Sequence, residues 1–592
     1  MKIKHAKILP PALCPAKAGN QSIAKNATWR QYTRRIGPVI IPPMPRTAKC
    51  SVTGQEFELY DREIEACKKF DMPLPNTTFE ERMRYLMAFR NEWKLYPRKC
   101  DATGKQILSA YPSDSPFKVY DNPYWWSDKW DPLQYGRAYD FNKPFFTQFR
   151  ELQLAVPREG TTVFSSENCE YNSHIRESKN CYLNSLVYRC EDLYYSSWAV
   201  SDKDVFDSYF ALYSTLCYNC IHVSNAYGCV MLEESQNCND CYFSFQLKGC
   251  DHCIFSSNLA NKSYQAFNKS CTKEEFNAIK SKYLNGSWKS WREGYEQFLE
   301  IRAKTIHRAV HNLNCENCTG DHLYDSKSCV NCLGGVNSED CCNSVSLDAS
   351  KDIYSCYSAG WPGCEMIYYS LVSRGSKFVA FSNYIWFSNN LYYCDSCNAC
   401  ADCFGCTGLQ HKNYCILNRQ YTKEEYEKLL PEIIAHMKRT GEWGKFFPKD
   451  FSPFAYNETG ALDYYPLTRE ESLKRGWRWR EKDEAQYRPA TLKVIPDALK
   501  DAAGIEKEIL VCETCRKNYR VIKKELAFYE KTGLPIPRSC YECRHRQRFE
   551  LSNPHRLYAR KCDKCGAAIQ SSYAPARPEM VYCEACYLKE VY

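Results

Sequence analysis

The chain has 592 residues with a mass of 69.0 kDa, 37 cysteines and a formal net charge of +9, more than one hydrophobic core can organise, so several domains are expected. A mean hydropathy of -0.57, with no apolar run near the ~18 residues that cross a bilayer, excludes a membrane-spanning reading. The odd cysteine count, and an opening MKIKHAKILPPALC without a stretch suited to export, argue against a secreted disulfide scaffold and for reduced thiols in a cytoplasmic setting.

Charge is concentrated at the N-terminus. Residues 1–48 form a Pro-rich basic arm carrying Lys2, Lys4, Lys7, Lys17, Lys25, Arg30, Arg34 and Arg35, with no Asp or Glu before Glu56. Such a segment buries too little apolar surface to fold alone and is expected to be extended. Its chemistry suits phosphate neutralisation on RNA or a ribonucleoprotein, the alternatives being a tail packed on its own protein or a transit segment.

Residues 49–128 copy the far end of the chain. Residues 506–592 hold four Cys-x-x-Cys knuckles, Cys512 with Cys515, Cys540 with Cys543, Cys562 with Cys565, and Cys583 with Cys586. Paired knuckles present four thiolates to a tetrahedral ion, so a double zinc ribbon with two structural Zn²⁺ is expected there. Subtracting 462 superimposes LYARKCD at 557–563 on LYPRKCD at 95–101 without a gap, and places Cys512 on Cys50 and Cys562 on Cys100. The other six ligand positions become Thr53, Thr78, Glu81, Thr103, Asp121 and Tyr124. The N-terminal copy is therefore expected to be a degenerate, metal-free double ribbon, held by packing that includes Tyr124, Trp125, Trp126 and Trp130; exposed stacking residues for bases are the rival reading.

After a connector at 129–160, residues 161–271 become rich in Cys, Asn, Ser and aromatics. A cysteine step of 21 links Cys169 to Cys190, Cys217 to Cys238 and Cys229 to Cys250. A fixed short period without a helical pattern implies a parallel β-solenoid. Residues 272–314 should be a helical cap and linker, and residues 315–421 a second solenoid unit related by an offset of 150: Cys250 and Cys253 match Cys400 and Cys403, and TKEEF at 272 matches TKEEY at 422. Thr272 with Glu275, and Thr422 with Glu425, read as capping boxes. Residues 422–505 follow as a helical cap and an extended aromatic strap. The fold class expected is thus multidomain and mainly β: two Cys-rich parallel solenoid units with helical caps, flanked by duplicated double ribbons.

Other sites compete within the middle. Cys394, Cys397, Cys400, Cys403 and Cys406 recur every third residue, close to iron–sulfur spacing, and a metal or thiol redox protein is the alternative they carry. His307 and His311, four apart on an expected helix before Cys315 and Cys318, could form a mixed zinc site. GxSxG, Walker, GxGxxG and HExxH signatures do not occur, so a non-enzymatic scaffold is expected. Beside the second zinc knuckle, Arg538, Arg544, Arg546 and Arg548 form a candidate nucleic-acid patch. Protein partners could instead bind the solenoid flanks.

The motifs RNEWKLYPRKCDATGK, WWSDKWDPLQYGR, YNETGALDYYPLTREESLKRGW and RPEMVYCEACYLKEVY carry a resemblance across nearly the whole chain. In these the chain resembles the large cysteine-rich zinc-ribbon proteins of candidate-phyla (Patescibacteria-type) bacteria. The resemblance implies a bacterial cytoplasmic protein with zinc-binding ends and a cysteine-repeat middle, and brings no activity with it. Members of that group keep more cysteines in the N-terminal ribbon than this chain does.

Overall fold

A computed structural model describes residues 47–481 and 488–591; the arm residues Lys2 to Arg35 lie outside this range. The described chain is mainly β, with two blocks of parallel strands at its centre and α-helices at their ends and flanks. In the first block, 163–270, successive parallel strands pair with a register step of 12: Glu191 lies opposite Lys203, Tyr209 opposite Ile221 and Val230 opposite Tyr242.

The step of 12 replaces the expected 21, and its cause is a local period of three. From His174 to Asn225 every third residue has left-handed φ near +50°. The residue following each of these points inward, as Cys217, Cys220, Val223, Ala226, Cys229 and Leu232 do in succession, all buried. Left-handed backbone costs L-residues about 1–2 kcal/mol each. The ladder offsets this, because the same residues donate their N–H to a carbonyl of the preceding rung: Tyr213 to Val200 at 2.8 Å, Asn219 to Phe206 at 3.1 Å. The 21-residue spacing is one rung of 12 plus 9, both multiples of three.

Interior side chains of this rung are mainly Cys, Ser, Asn, Ala, Val, Leu and Ile, with no aromatic ring among them, and the polar ones satisfy inward backbone groups. Serine bridges two rungs: Ser196 Oγ donates to the Tyr194 carbonyl at 3.0 Å and accepts the Ser208 N–H at 3.0 Å. Cysteine can fill the same role, Cys190 Sγ donating to the Tyr188 carbonyl at 3.4 Å and accepting the Asp202 N–H at 3.3 Å, while the single proton of Cys229 Sγ faces the carbonyls of Tyr227 and Cys238. Cys229→Ser is therefore expected to change stability by less than about 1 kcal/mol, whereas Cys229→Leu overpacks the rung and costs roughly 1–3 kcal/mol, measured by urea unfolding.

The second block, 320–420, repeats the 12-residue register, as in Lys377 opposite Asn389 and Leu391 opposite Cys403. Two extra residues, accommodated beside the cis Trp361–Pro362 bond, widen one step to 14, Ser350 facing Cys364 and Tyr357 facing Leu371. Both blocks end in one device. A short antiparallel strand folds back, Gln265 against Ser270 and Cys415 against Gln420. A helix then starts, Lys273–Tyr283 or Lys423–Arg439, each with the expected capping box. In the box at Thr272, the hydroxyl accepts the Glu275 N–H at 3.2 Å and Glu275 accepts the Thr272 N–H at 2.8 Å.

The expected strap is only partly extended. Residues after 445 form short helices, including Gly460–Tyr464 and Arg469–Lys474. Phe446, Phe447, Phe451 and Trp477 are buried in a core shared with the second block and the helix Phe79–Met87.

The 462-residue offset holds element by element. Strands Tyr96–Lys99 and Gln106–Ser109 match Tyr558–Lys561 and Ala568–Ser571. Helix Phe79–Met87 matches Tyr541–Leu551. Individual bonds repeat: the Cys50 N–H donates to the Gln55 carbonyl as Cys512 does to Lys517, and Asp101 to Val119 as Asp563 does to Val581.

Candidate metal centres

Each thiol pair stands where a hairpin meets a helix start. In the first group, Cys512 follows strand Leu510–Val511, and Cys540 immediately precedes helix Tyr541–Leu551. This brings Cys512, Cys515, Cys540 and Cys543 together, with all four sulfurs within 4.8 Å of one another. The second group, Cys562, Cys565, Cys583 and Cys586, meets the same limit. Each can hold a metal ion. Sulfur-to-sulfur distances of 3.7 Å for Cys515 to Cys540 and 3.8 Å for Cys565 to Cys583 recur in the two groups.

The backbone prepares these thiols for ligation. Burial raises the Cys512 thiol, but N–H groups of Cys515, Cys540 and Thr514 outweigh it and draw the thiol down to about 6. Cys562 is also drawn down to about 6, burial again opposed by N–H groups of Cys565, Cys583 and Lys564. Burial and the neighbouring Cys512 charge instead push Cys540 up to about 11. A cation among the sulfurs removes that conflict, because four thiolates at this spacing repel unless neutralised.

At the matching N-terminal positions the replacements bond to their own surroundings. Thr103 donates to Asp121 at 2.9 Å, spanning the positions of Cys565 and Cys583. Asp121 also accepts the Tyr124 N–H at 2.8 Å. Thr78 accepts the Glu81 N–H at 3.3 Å, and Glu81 pairs with Arg84 and, at 3.0 Å, with Arg475. Thr53 accepts the Gln55 N–H at 3.3 Å, and the Tyr124 ring meets Tyr120 edge-on at 5.1 Å. The retained Cys50 and Cys100 are buried. Trp125 is buried too, and the indole of Trp126 donates to Glu159 at 2.6 Å, that of Trp130 to the Trp125 carbonyl at 2.8 Å. These indoles are engaged in packing.

The arginine run is not a solvent-facing stripe. Arg544 and Arg548 both donate to Asp207, at 3.1 and 2.9 Å, and Asp207 is fully buried in the first parallel block. Arg544 also reaches Glu525 at 3.1 Å. Arg538 donates to the carbonyls of Ile495 and Pro496. Of the four, only Arg546 is exposed. The guanidiniums lock the ribbon helix Tyr541–Leu551 onto the first block and are not available to an external phosphate.

The other expected sites are also placed differently. His307 and His311 do not share a helix: the helix Trp288–Lys304 ends before them, and His307 lies in strand Ile306–Arg308, paired with Met580–Tyr582. His307 bonds to the Tyr573 hydroxyl and the Arg302 carbonyl, while Cys315 and Cys318 donate to backbone carbonyls. Cys394, Cys397, Cys400 and Cys403 occupy the successive inward positions of one rung and Cys406 stands on the next rung above Cys394, with Cys394 bonded to Tyr392 O, Cys403 to Ala401 O and Cys406 to Phe404 O. Their three-residue spacing is the rung period.

One cluster escaped the sequence reading: His222, Glu234, His311, Asp321 and His322, where the two parallel blocks meet. The available signal was the 12-residue separation of His222 and Glu234, which places both at one position of adjacent rungs.

Comparison with protein-family models finds no family that matches the chain, and comparison with curated proteins finds no matching relative. No helix of the described residues is long and apolar enough to cross a membrane.

Proposed function

We propose that the chain is a non-enzymatic zinc-binding scaffold, a double β-solenoid with ribbons at both ends, whose basic arm associates with RNA or a ribonucleoprotein. The observation that carries the scaffold reading is the Asp207 junction, where buried arginines of the thiol-bearing end are spent on docking it to the parallel block. Zinc is supported by arithmetic: tetrahedral bonds of ~2.3 Å set sulfurs about 3.8 Å apart, which the 3.7 and 3.8 Å distances meet. A metal-free N-terminal copy is supported by the Thr103 to Asp121 bond and the Glu81 ion pairs. The solenoid reading rests on the 12-residue register and the inward ladder of cysteine, serine and aliphatic side chains. A cytoplasmic setting agrees with its many thiols.

With Arg538, Arg544 and Arg548 turned inward, the RNA reading rests on the arm. Replacing Lys2, Lys4, Lys7, Lys17, Lys25, Arg30, Arg34 and Arg35 together with Gln is expected to lower single-stranded RNA affinity at least tenfold and flatten its salt dependence in filter binding. Unchanged affinity and slope would remove the reading. Exposed Tyr171, Tyr213 and Tyr227 on the first block favour a second reading, protein assembly on the solenoid flanks, under which partner capture survives nuclease treatment and is lost on changing these tyrosines to Ser.

A further inference from the structure

Three imidazoles and two carboxylates converge where the blocks meet. His222 and Glu234 stand 12 residues apart at left-handed positions of adjacent rungs, both with φ +50°; His322 comes from the second block with φ +53°. The His322 ring stacks on His222 with centroids 4.2 Å apart, and on His311 at 4.9 Å. Glu234 places its carboxylate 3.1 Å from His322 Nε2 and 3.8 Å from His311 Nε2. One donor atom each from His222, Glu234 and His322 lies within 4.8 Å of the others. Metal bonds of ~2.0–2.2 Å set ligand atoms roughly 3–3.5 Å apart, and the 3.1 Å between Glu234 and His322 already lies in that range.

Around this set stands a second layer of the kind that orients metal-bound histidines. Asp321 lies 3.4 Å from His322 Nδ1 and 3.3 Å from His311 Nδ1, on the edge of His322 away from Glu234. Asp321 is itself held by the backbone N–H groups of His311 (2.6 Å) and His322 (2.9 Å) and by the Ser572 hydroxyl. The side chains of Glu234 and Asp321 are 9% and 4% exposed. Two buried carboxylates are costly unless cations face them. Ser552 Oγ meets His222 Nε2 at 3.1 Å, and the Gln246 amide meets His311 Nε2 at 3.3 Å.

We propose that His222, Glu234 and His322 bind a first-row transition dication, with His311 beside the Glu234 carboxylate and Asp321 fixing the His322 ring. Two histidines and one carboxylate are the donor set of Zn²⁺ and Fe²⁺ sites that keep an open position, unlike the all-thiolate groups nearby. The site is built by both blocks and covered by Ser552 and Ser572 of the C-terminal end, so it forms only in the folded chain.

The test is total dication content of the purified full chain after equilibration with Zn²⁺, followed by Co²⁺ titration. Three bound dications per chain are expected, and Co²⁺ at the third site absorbs weakly in the visible without the thiolate charge-transfer band of cobalt bound to cysteine. Glu234→Gln and His322→Ala each lose that one equivalent while both thiolate-bound ions remain. Two dications per chain in the wild type would overturn the proposal, as would a third retained at equal affinity in Glu234→Gln. A failure of His322→Ala to fold leaves the decision to the wild-type count and the isosteric Glu234→Gln.

Discussion

Replacing Asp207 with Ala is expected to destabilise the protein by roughly 3–5 kcal/mol, because it strips the shared carboxylate from two buried guanidiniums. Arg548 keeps only the Tyr195 carbonyl at 3.1 Å, and Arg544 keeps Glu525 and the face of the Tyr195 ring. Both arginine side chains are less than 10% exposed, so water cannot replace the lost partner without opening the interface. Urea unfolding should show a fall in the midpoint, and limited proteolysis should release the segment after 506 first. Asp207→Asn keeps a hydrogen-bond acceptor and should lose less. The double variant Asp207→Ala with Arg548→Leu should recover part of the loss, since it removes one of the unpaired charges. A single variant within about 0.5 kcal/mol of wild type would mean that the junction does not hold the C-terminal end in place.

The second large effect is metal removal. Cys540→Ala is expected to release one equivalent of zinc and unfold the half-ribbon from Leu510 to Leu551, because structural zinc in isolated fingers contributes about 10–16 kcal/mol of apparent binding energy at neutral pH. Around the sulfurs the buried cluster is only Cys512, Cys540 and Cys543 with Tyr519 packed against it, whereas Leu510, Phe528, Tyr529, Leu534 and Ile536 pack on the first block, so the loss is expected to start at the sulfur end of the half-ribbon. The helix Tyr541–Leu551 starts at Cys540, so losing the ion frees the helix end that carries Arg544 and Arg548. Hydrogen exchange should show protection lost from 506–551 and then at the Asp207 rung. Protection in 49–128 should be unchanged, since its equivalents of the ligands are held by hydrogen bonds and ion pairs. Retained zinc and retained protection in Cys540→Ala would contradict this.

How much was legible in the sequence follows from how local each feature is. The 462-residue offset showed in the residues alone that the two ends share one fold, because duplication leaves the hydrophobic pattern and turn residues in register even where ligands are lost. Thr272 with Glu275 announced a helix start through a three-residue relation, and the helix begins there. The rung period was visible but misread. Cys169, Cys181, Cys190, Cys217 and Cys220 all share one phase modulo three, yet interior positions also filled by Ser, Asn, Ala and Val broke the run of cysteines and left 21 as the obvious interval. The arginine run shows the limit of local reading. Its charge pattern suits a nucleic-acid stripe, and the residue that claims it, Asp207, lies 337 positions before Arg544. His307 and His311 fit a helical ligand pair by spacing, but strand pairing with Met580–Tyr582 decides their conformation, and that partner is remote in sequence. The same holds for His222 and His322, which only the packing of one block on the other brings together.

Central to the account is one duplicated architecture stabilised in two ways, by metal at the C-terminal end and by hydrogen bonds and packing at the N-terminal end. A zinc-edge anomalous difference map from crystals of the full chain tests this most directly. The account predicts a peak within each group of four sulfurs, at Cys512 to Cys543 and at Cys562 to Cys586, and none beside Cys50 or Cys100. A peak at either N-terminal thiol, or no peak at the C-terminal groups, would contradict it.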